Sequence, residues 1–155
     1  MKETVIFVRW VSRVMSGLRV ERLKRRARRF LDDANEDLAK GYYDVALFHV
    51  EQTIQLYVKG VILELFGKEY TGHGVRELLS YLAKLLDENG YKELSLRVSE
   101  FTRENRLNLL KIEDAYISSR YEDVEYDVKE AEESLGLAEK LIALLDEVVD
   151  RVKLG

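Results

Sequence analysis

Neither cysteine nor proline occurs among the 155 residues, and histidine appears only twice, as His49 and His73. The lack of cysteine excludes disulfides, thiolate metal sites and cysteine nucleophiles together, and a cytoplasmic location is expected. The lack of proline leaves every helical pattern free of a residue without an N–H. With two isolated histidines, no HExxH and no His pair at helical spacing, no metal site is expected. Gly72-His73-Gly74 lacks the remaining glycine, lysine and Ser/Thr of a phosphate loop. No G-x-S-x-G is present either, so no catalytic residue and no cofactor is assigned. No apolar run approaches the ~18 residues needed to cross a bilayer. Val5-Ile6-Phe7-Val8 ends at Arg9, too short for a signal-peptide core. No membrane partner is therefore expected.

What is present suits one well-packed domain. Hydrophobic residues make up 46%, enough for a continuous core, and charged residues 35%, enough to solvate its exterior. Many charges, two methionines and no cysteine match a thermophile's composition. Charge is unevenly placed. Residues 1–29 hold ten Lys/Arg against Glu3 and Glu21, a local +8 that leaves −12 on the remainder of a chain whose net charge is −4. Arg22, Lys24, Arg25, Arg26, Arg28 and Arg29 form the densest part of this basic arm. Two readings stand: the arm lies against acidic surface of its own or a partner chain, or it contacts phosphate backbone and the protein binds nucleic acid through it.

Apolar residues recur at three and four in five stretches, about 20–40, 43–66, 75–87, 92–118 and 126–152. Gly41, Gly67 and Asn89-Gly90 punctuate them as helix stops. The connections are short, so the expected fold is all-α, an up-and-down bundle of about five helices. Residues 1–19 are expected as a basic N-terminal extension and 20–155 as the bundle. Residues 4–11 are ambiguous between a short strand and an amphipathic helix, with Phe7 or Trp10 on a side available to dock another chain.

Four short motifs lie in order along this bundle. Gly41-Tyr42-Tyr43-Asp44 leads into Ala46-Leu47-Phe48-His49-Val50-Glu51-Gln52 and on to Lys59. Arg28-Arg29-Phe30-Leu31-Asp32-Asp33-Ala34 precedes it, Thr71-Gly72-His73-Gly74-Val75-Arg76-Glu77-Leu78-Leu79 follows, and Tyr116-Ile117-Ser118-Ser119-Arg120-Tyr121 stands before the last helix. Together they resemble the HEPN domains (higher eukaryotes and prokaryotes nucleotide-binding), over roughly residues 22–152. The departures are Gln55 and Leu56, where the family commonly has Glu-Lys, and Gly74, where it commonly has Asp.

RNA-cutting members of that family carry an Arg, four to six residues, and then a His, supplying a proton acceptor and a cation for the phosphate. Here Tyr42, Tyr43 and Asp44 stand where His49 would need Arg, and Phe66, Gly67 and Lys68 where His73 would. The resemblance therefore implies a non-catalytic nucleotide-binding or protein-assembly module, a homodimer partnering a minimal nucleotidyltransferase in a toxin–antitoxin-like system. The alternative is a HEPN ribonuclease with a degenerate site, using Arg120 with His49 or His73. The candidate ligand residues are His49, Gln52 and Lys59 on the second helix, His73 in the following loop, and Arg120 with Tyr121 before the last helix. Positions 49, 52 and 59 are spaced to share a helix face. Each also has a structural reading: His49 and Gln52 as interior hydrogen-bonding groups that fix packing, and Arg120 as an inter-helix ion pair or cap.

Overall fold

The computed structural model describes residues 2–121 and 124–155, without the side chains of Ser119 and Arg120. Among the described residues six helices follow one another: α1 (Lys2–Lys40), α2 (Tyr43–Phe66), α3 (Val75–Glu88), α4 (Lys92–Glu104), α5 (Arg106–Tyr121) and α6 (Val128–Leu154). The described residues contain no strand. The all-α bundle is as expected, and two of its boundaries are not.

The first correction concerns residues 2–19. They are helical throughout and continue α1 without a break, so neither a strand at 4–11 nor a helix starting at Val20 is found. The second concerns the stretch 92–118, which is two helices rather than one. Asn105 interrupts it: its side-chain amide donates to the Phe101 carbonyl at 2.9 Å, and its own N–H bonds that carbonyl at 3.1 Å. The Asn105 carbonyl then accepts from Leu109 N–H to open α5. Such local side-chain bonding is why Asn competes with a helix interior. Asn89 ends α3 in the same way, donating to the Leu85 carbonyl at 2.7 Å.

The α1–α2 hairpin turns where the sequence indicates. Gly41 adopts φ +80°, a left-handed conformation that disfavours any Cβ, and Tyr42 N–H reaches back to the Asp37 carbonyl at 2.8 Å. Lower in the hairpin, a Cβ on Gly60 would lie 3.3 Å from Lys24 Cγ, so the absence of a side chain there sets the close approach of α1 and α2. Asp127 caps α6 by accepting from Glu130 N–H at 2.8 Å.

Helix α2 is the central rod and packs against α1, α3, α5 and α6. Ile54, Tyr57, Val58, Val61 and Ile62 on α2 meet Leu78, Leu82 and Leu86 of α3, Leu109 and Ile112 of α5, and Leu141 and Leu145 of α6 in one core. Each fully buried leucine or isoleucine contributes about 1.5–3 kcal/mol relative to exposure. A smaller cluster of Ala46, Leu47, Ala115 and Ala131 closes the end of the bundle beside the hairpin turn. No described helix is long and apolar enough to cross a membrane.

Candidate functional site

Positions 51, 55 and 59 of α2 are four apart, and so stack on one side of the helix. Their side chains form a connected polar ladder. Gln55 donates through Nε2 to Glu51 Oε1 at 2.8 Å, and Lys59 Nζ donates to Gln55 Oε1 at 3.3 Å. Gln52 adds a donor to the other carboxylate oxygen, Glu51 Oε2, at 2.7 Å. Gln55 Nε2 also reaches the backbone carbonyl of His73 at 3.1 Å, tying the α2–α3 loop to the helix. Glu51 is 2% exposed. Burial pushes its pKa up, opposed by the two glutamine hydrogen bonds and by Lys59, while Glu113 of α5 adds to the rise. Burial lowers the Lys59 pKa, opposed by the charge of Glu51.

The loop above this ladder is shaped by two contacts. Tyr70 stacks on Tyr81 of α3 with ring centroids 4.7 Å apart, and a Cβ on Gly72 would collide with the Tyr70 ring. Arg76, at the start of α3, anchors the loop's far end: its backbone N–H, Nε and guanidinium all reach the Glu113 carboxylate at 2.9–3.1 Å. That hydrogen bonding raises the Arg76 pKa.

Beside Lys59, the loop and α1 enclose a cavity of about 340 Å³ lined by Arg19, Leu23, Lys59, Leu63, Lys68, Glu69, Tyr70, Thr71 and His73. Arg19 pairs with Glu69 at 2.5 Å. Lys68 and His73 are exposed, and Lys59 is half-buried. Arg19, Lys59 and Lys68 set against the single acid Glu69 make the cleft net cationic, with an aromatic wall at Tyr70. Such a space can hold a small anion or the phosphate end of a nucleotide, the aromatic ring offering a surface for a base.

Of the residues expected to converge, Lys59 and His73 line this cleft, and Gln52 lies outside its lining, donating to Glu51. His49 lies elsewhere. Its Nδ1 is 2.5 Å from Asp37 Oδ2 of α1, and its ring packs against Phe30 and Phe48 with centroids 5.7 Å away in each case. It therefore serves α1–α2 packing. Tyr121 is 78% exposed at the end of α5. Phe48 stacks on Tyr116, and Glu51 feels Glu113, so α5 runs antiparallel to α2. At 1.5 Å per residue, the Phe48 end of α2 stands roughly 16 Å from Lys59, so Tyr121 belongs to the opposite end of the helix from the cleft. The Arg120 side chain lies outside the described residues. Glu51, Gln55, Arg19 and Lys68 are not among the ligand residues expected from sequence. The four-residue spacing of 51, 55 and 59 was a signal available for the first two, while Arg19 and Lys68 are joined to the cleft only by tertiary packing.

The basic arm divides in two. Lys24 pairs with Glu64 at 3.0 Å, and Arg28 donates to Tyr57 Oη at 3.2 Å beside Asp146 of α6. Both cations lie over the Tyr57 ring, whose hydroxyl donates to Asp146. Burial first, and Asp146 second, raise the Tyr57 pKa. Arg22, Arg25, Arg26 and Arg29 are exposed on the other side of α1.

The HEPN domain family model matches residues 20–148. The crystal structure of TT1696 from Thermus thermophilus is similar at 28% identity and a TM-score of 0.64, over 83% of this chain and 97% of that one. No curated protein matches the chain.

Proposed function

The chain belongs to the HEPN domain family, and on that premise we propose that it is a non-catalytic member that binds a nucleotide through the Lys59–His73 cleft. The observation that carries this reading is the convergence of Arg19, Lys59, Lys68 and His73 around one cavity with an aromatic wall. The Glu51–Gln55–Lys59 ladder braces the site from behind and holds the loop carbonyl of His73. Phosphate oxygens would meet the two lysines, and the loop backbone is already fixed by Gln55 and Arg76, which lowers the ordering cost of binding.

A non-catalytic role is favoured over the ribonuclease alternative by how the histidines are used. His49 is committed to Asp37 between two aromatic rings. His73 has no arginine at the family's spacing. The family resemblance supports assembly as a homodimer with a minimal nucleotidyltransferase chain, in a toxin–antitoxin-like pair, as the setting in which such a ligand is presented.

The test is calorimetric titration of the purified protein with nucleoside mono-, di- and triphosphates, beside the double variant Lys59→Ala/Lys68→Ala. Binding by the native protein that weakens at least tenfold in the variant supports the reading. No heat with any nucleotide at millimolar concentration contradicts it. Degradation of total RNA by the native protein, lost in His73→Ala, would instead establish the ribonuclease.

A further inference from the structure

The outward side of α1 carries one unbroken line of residues at spacings of four, three, four, four, three and four: Phe7, Val11, Val14, Leu18, Arg22, Arg25 and Arg29. Such spacing keeps a single helix face. Its first half is apolar and widened by Val8, Trp10 and Met15, and its second half is arginine and widened by Arg26. The apolar members are 37–62% exposed. The bundle lies on the other side of the helix, where Val20, Ala27 and Ala34 are buried. Upstream, that bundle-facing side becomes Ser12, Arg13 and Ser16, which line a groove with Leu63, Glu64 and Gly67 at the end of α2. The main apolar line of α1, from Phe7 to Leu18, thus faces away from the side that Val20, Ala27 and Ala34 occupy, while Val5 and Ile6 make the first two turns apolar on their other sides as well. Because the helix is continuous, the chain cannot fold its own apolar stretch back onto its core. Residues 2–19 also lie outside the HEPN match.

We infer that this face of α1 docks on an anionic lipid surface, lying in the plane of the interface with the bundle held on the water side. The apolar half, led by Trp10 and Phe7, enters the headgroup–acyl boundary, and Arg22, Arg25, Arg26 and Arg29 rest on the phosphates beside it. This occupant uses both halves, whereas a second copy or a nucleic acid uses only one. A second copy paired in parallel sets each arginine line against its own image. Paired antiparallel along the apolar stretch, it leaves the arginines facing only Glu3 and then open solvent. Nucleic acid satisfies the arginines and leaves Phe7, Trp10, Val14 and Leu18 in water. A basic amphipathic helix with aromatics on its apolar side is the pattern that binds at membrane interfaces. This departs from the expectation of no membrane partner, which rested on the lack of a spanning run; an interfacial helix needs only a sided one.

Trp10 is the only tryptophan in the chain, so its emission reports this face alone. The full protein is titrated with phosphatidylcholine vesicles with and without phosphatidylglycerol, reading Trp10 emission and vesicle flotation, with sedimentation velocity on the lipid-free protein. The expected result is a blue shift and flotation with the anionic vesicles, weakened by salt. The variant Arg22→Ser/Arg25→Ser/Arg26→Ser binds roughly a hundredfold more weakly, at about fivefold per charge. Phe7→Ser/Val11→Ser loses the blue shift while its melting temperature stays unchanged. Unaltered Trp10 emission with anionic vesicles overturns the inference, as does equal binding to pure phosphatidylcholine. A lipid-free dimer with Trp10 already blue-shifted and indifferent to vesicles overturns it in favour of a second copy. An RNA-induced shift of the same size, without one from lipid, overturns it in favour of nucleic acid.

Discussion

Replacing Glu51 is the sharpest structural perturbation of the cleft's support. In Glu51→Ala the carboxylate that accepts from Gln52 and Gln55 is lost. Gln55 is 8% exposed, so water has little access to the donor left behind, and its remaining acceptor is the His73 carbonyl at 3.1 Å. Losing one partner of a buried polar group costs about 1–3 kcal/mol. For a chain of this size that is a fall in Tm of roughly 3–10 °C. Glu51→Gln keeps the shape and removes the charge, and its contrast with the native protein carries a pH signature. Burial raises the Glu51 pKa above its ordinary 4.5. The folded state then holds the proton more tightly than the unfolded one, so this group's stabilising contribution is complete below 4.5 and is lost as pH rises through the folded value. The native protein should lose stability relative to Glu51→Gln as pH climbs from 4.5 toward neutrality. Thermal melts followed by circular dichroism between about pH 4 and 8 read both effects. An unchanged Tm in Glu51→Ala, or a native protein that gains on Glu51→Gln with rising pH, refutes the account of the ladder.

Two further variants probe the scaffold. Tyr57→Phe removes a hydroxyl that donates to Asp146 and accepts from Arg28; a loss of about 1–2 kcal/mol is expected in urea unfolding, and a change below a few tenths would mean the α1–α2–α6 cluster contributes no net stability. Gly60→Leu places a branched side chain where even a Cβ lies 3.3 Å from Lys24 Cγ; overpacking of about 1–3 kcal/mol should lower the Tm, and a variant as stable as the native chain would show that α1 and α2 can separate freely.

Helix α2 was legible in the sequence to the residue, because Gly41 and Gly67 bound it and its apolar positions keep one phase. The start of α1 was not. Its main apolar line faces out from Phe7 to Leu18 and its buried positions face in from Val20 onward, so no single periodic stripe spans the helix and the first half reads as a separate segment. The break at Asn105 was missed because the apolar spacing survives across it; what ends α4 is one amide bonding to the Phe101 carbonyl. At the cleft, His73 and Lys59 could be named from the chain. Their neighbours Arg19 and Lys68 arrive through the packing of α1 and the loop, which spacing along one helix does not encode.

The most direct measurement uses the two histidines as opposed reporters. His73 lines the cleft, while His49 is held against Asp37 toward the other end of α2. In a carbon–proton NMR spectrum each ring gives its own signal, assigned by His49→Gln and His73→Gln. Titration with a nucleotide should move the His73 resonance in a saturable manner and leave His49 in place. Movement of His49 alone, or of neither ring at millimolar nucleotide, would contradict the assignment of ligand binding to this cleft.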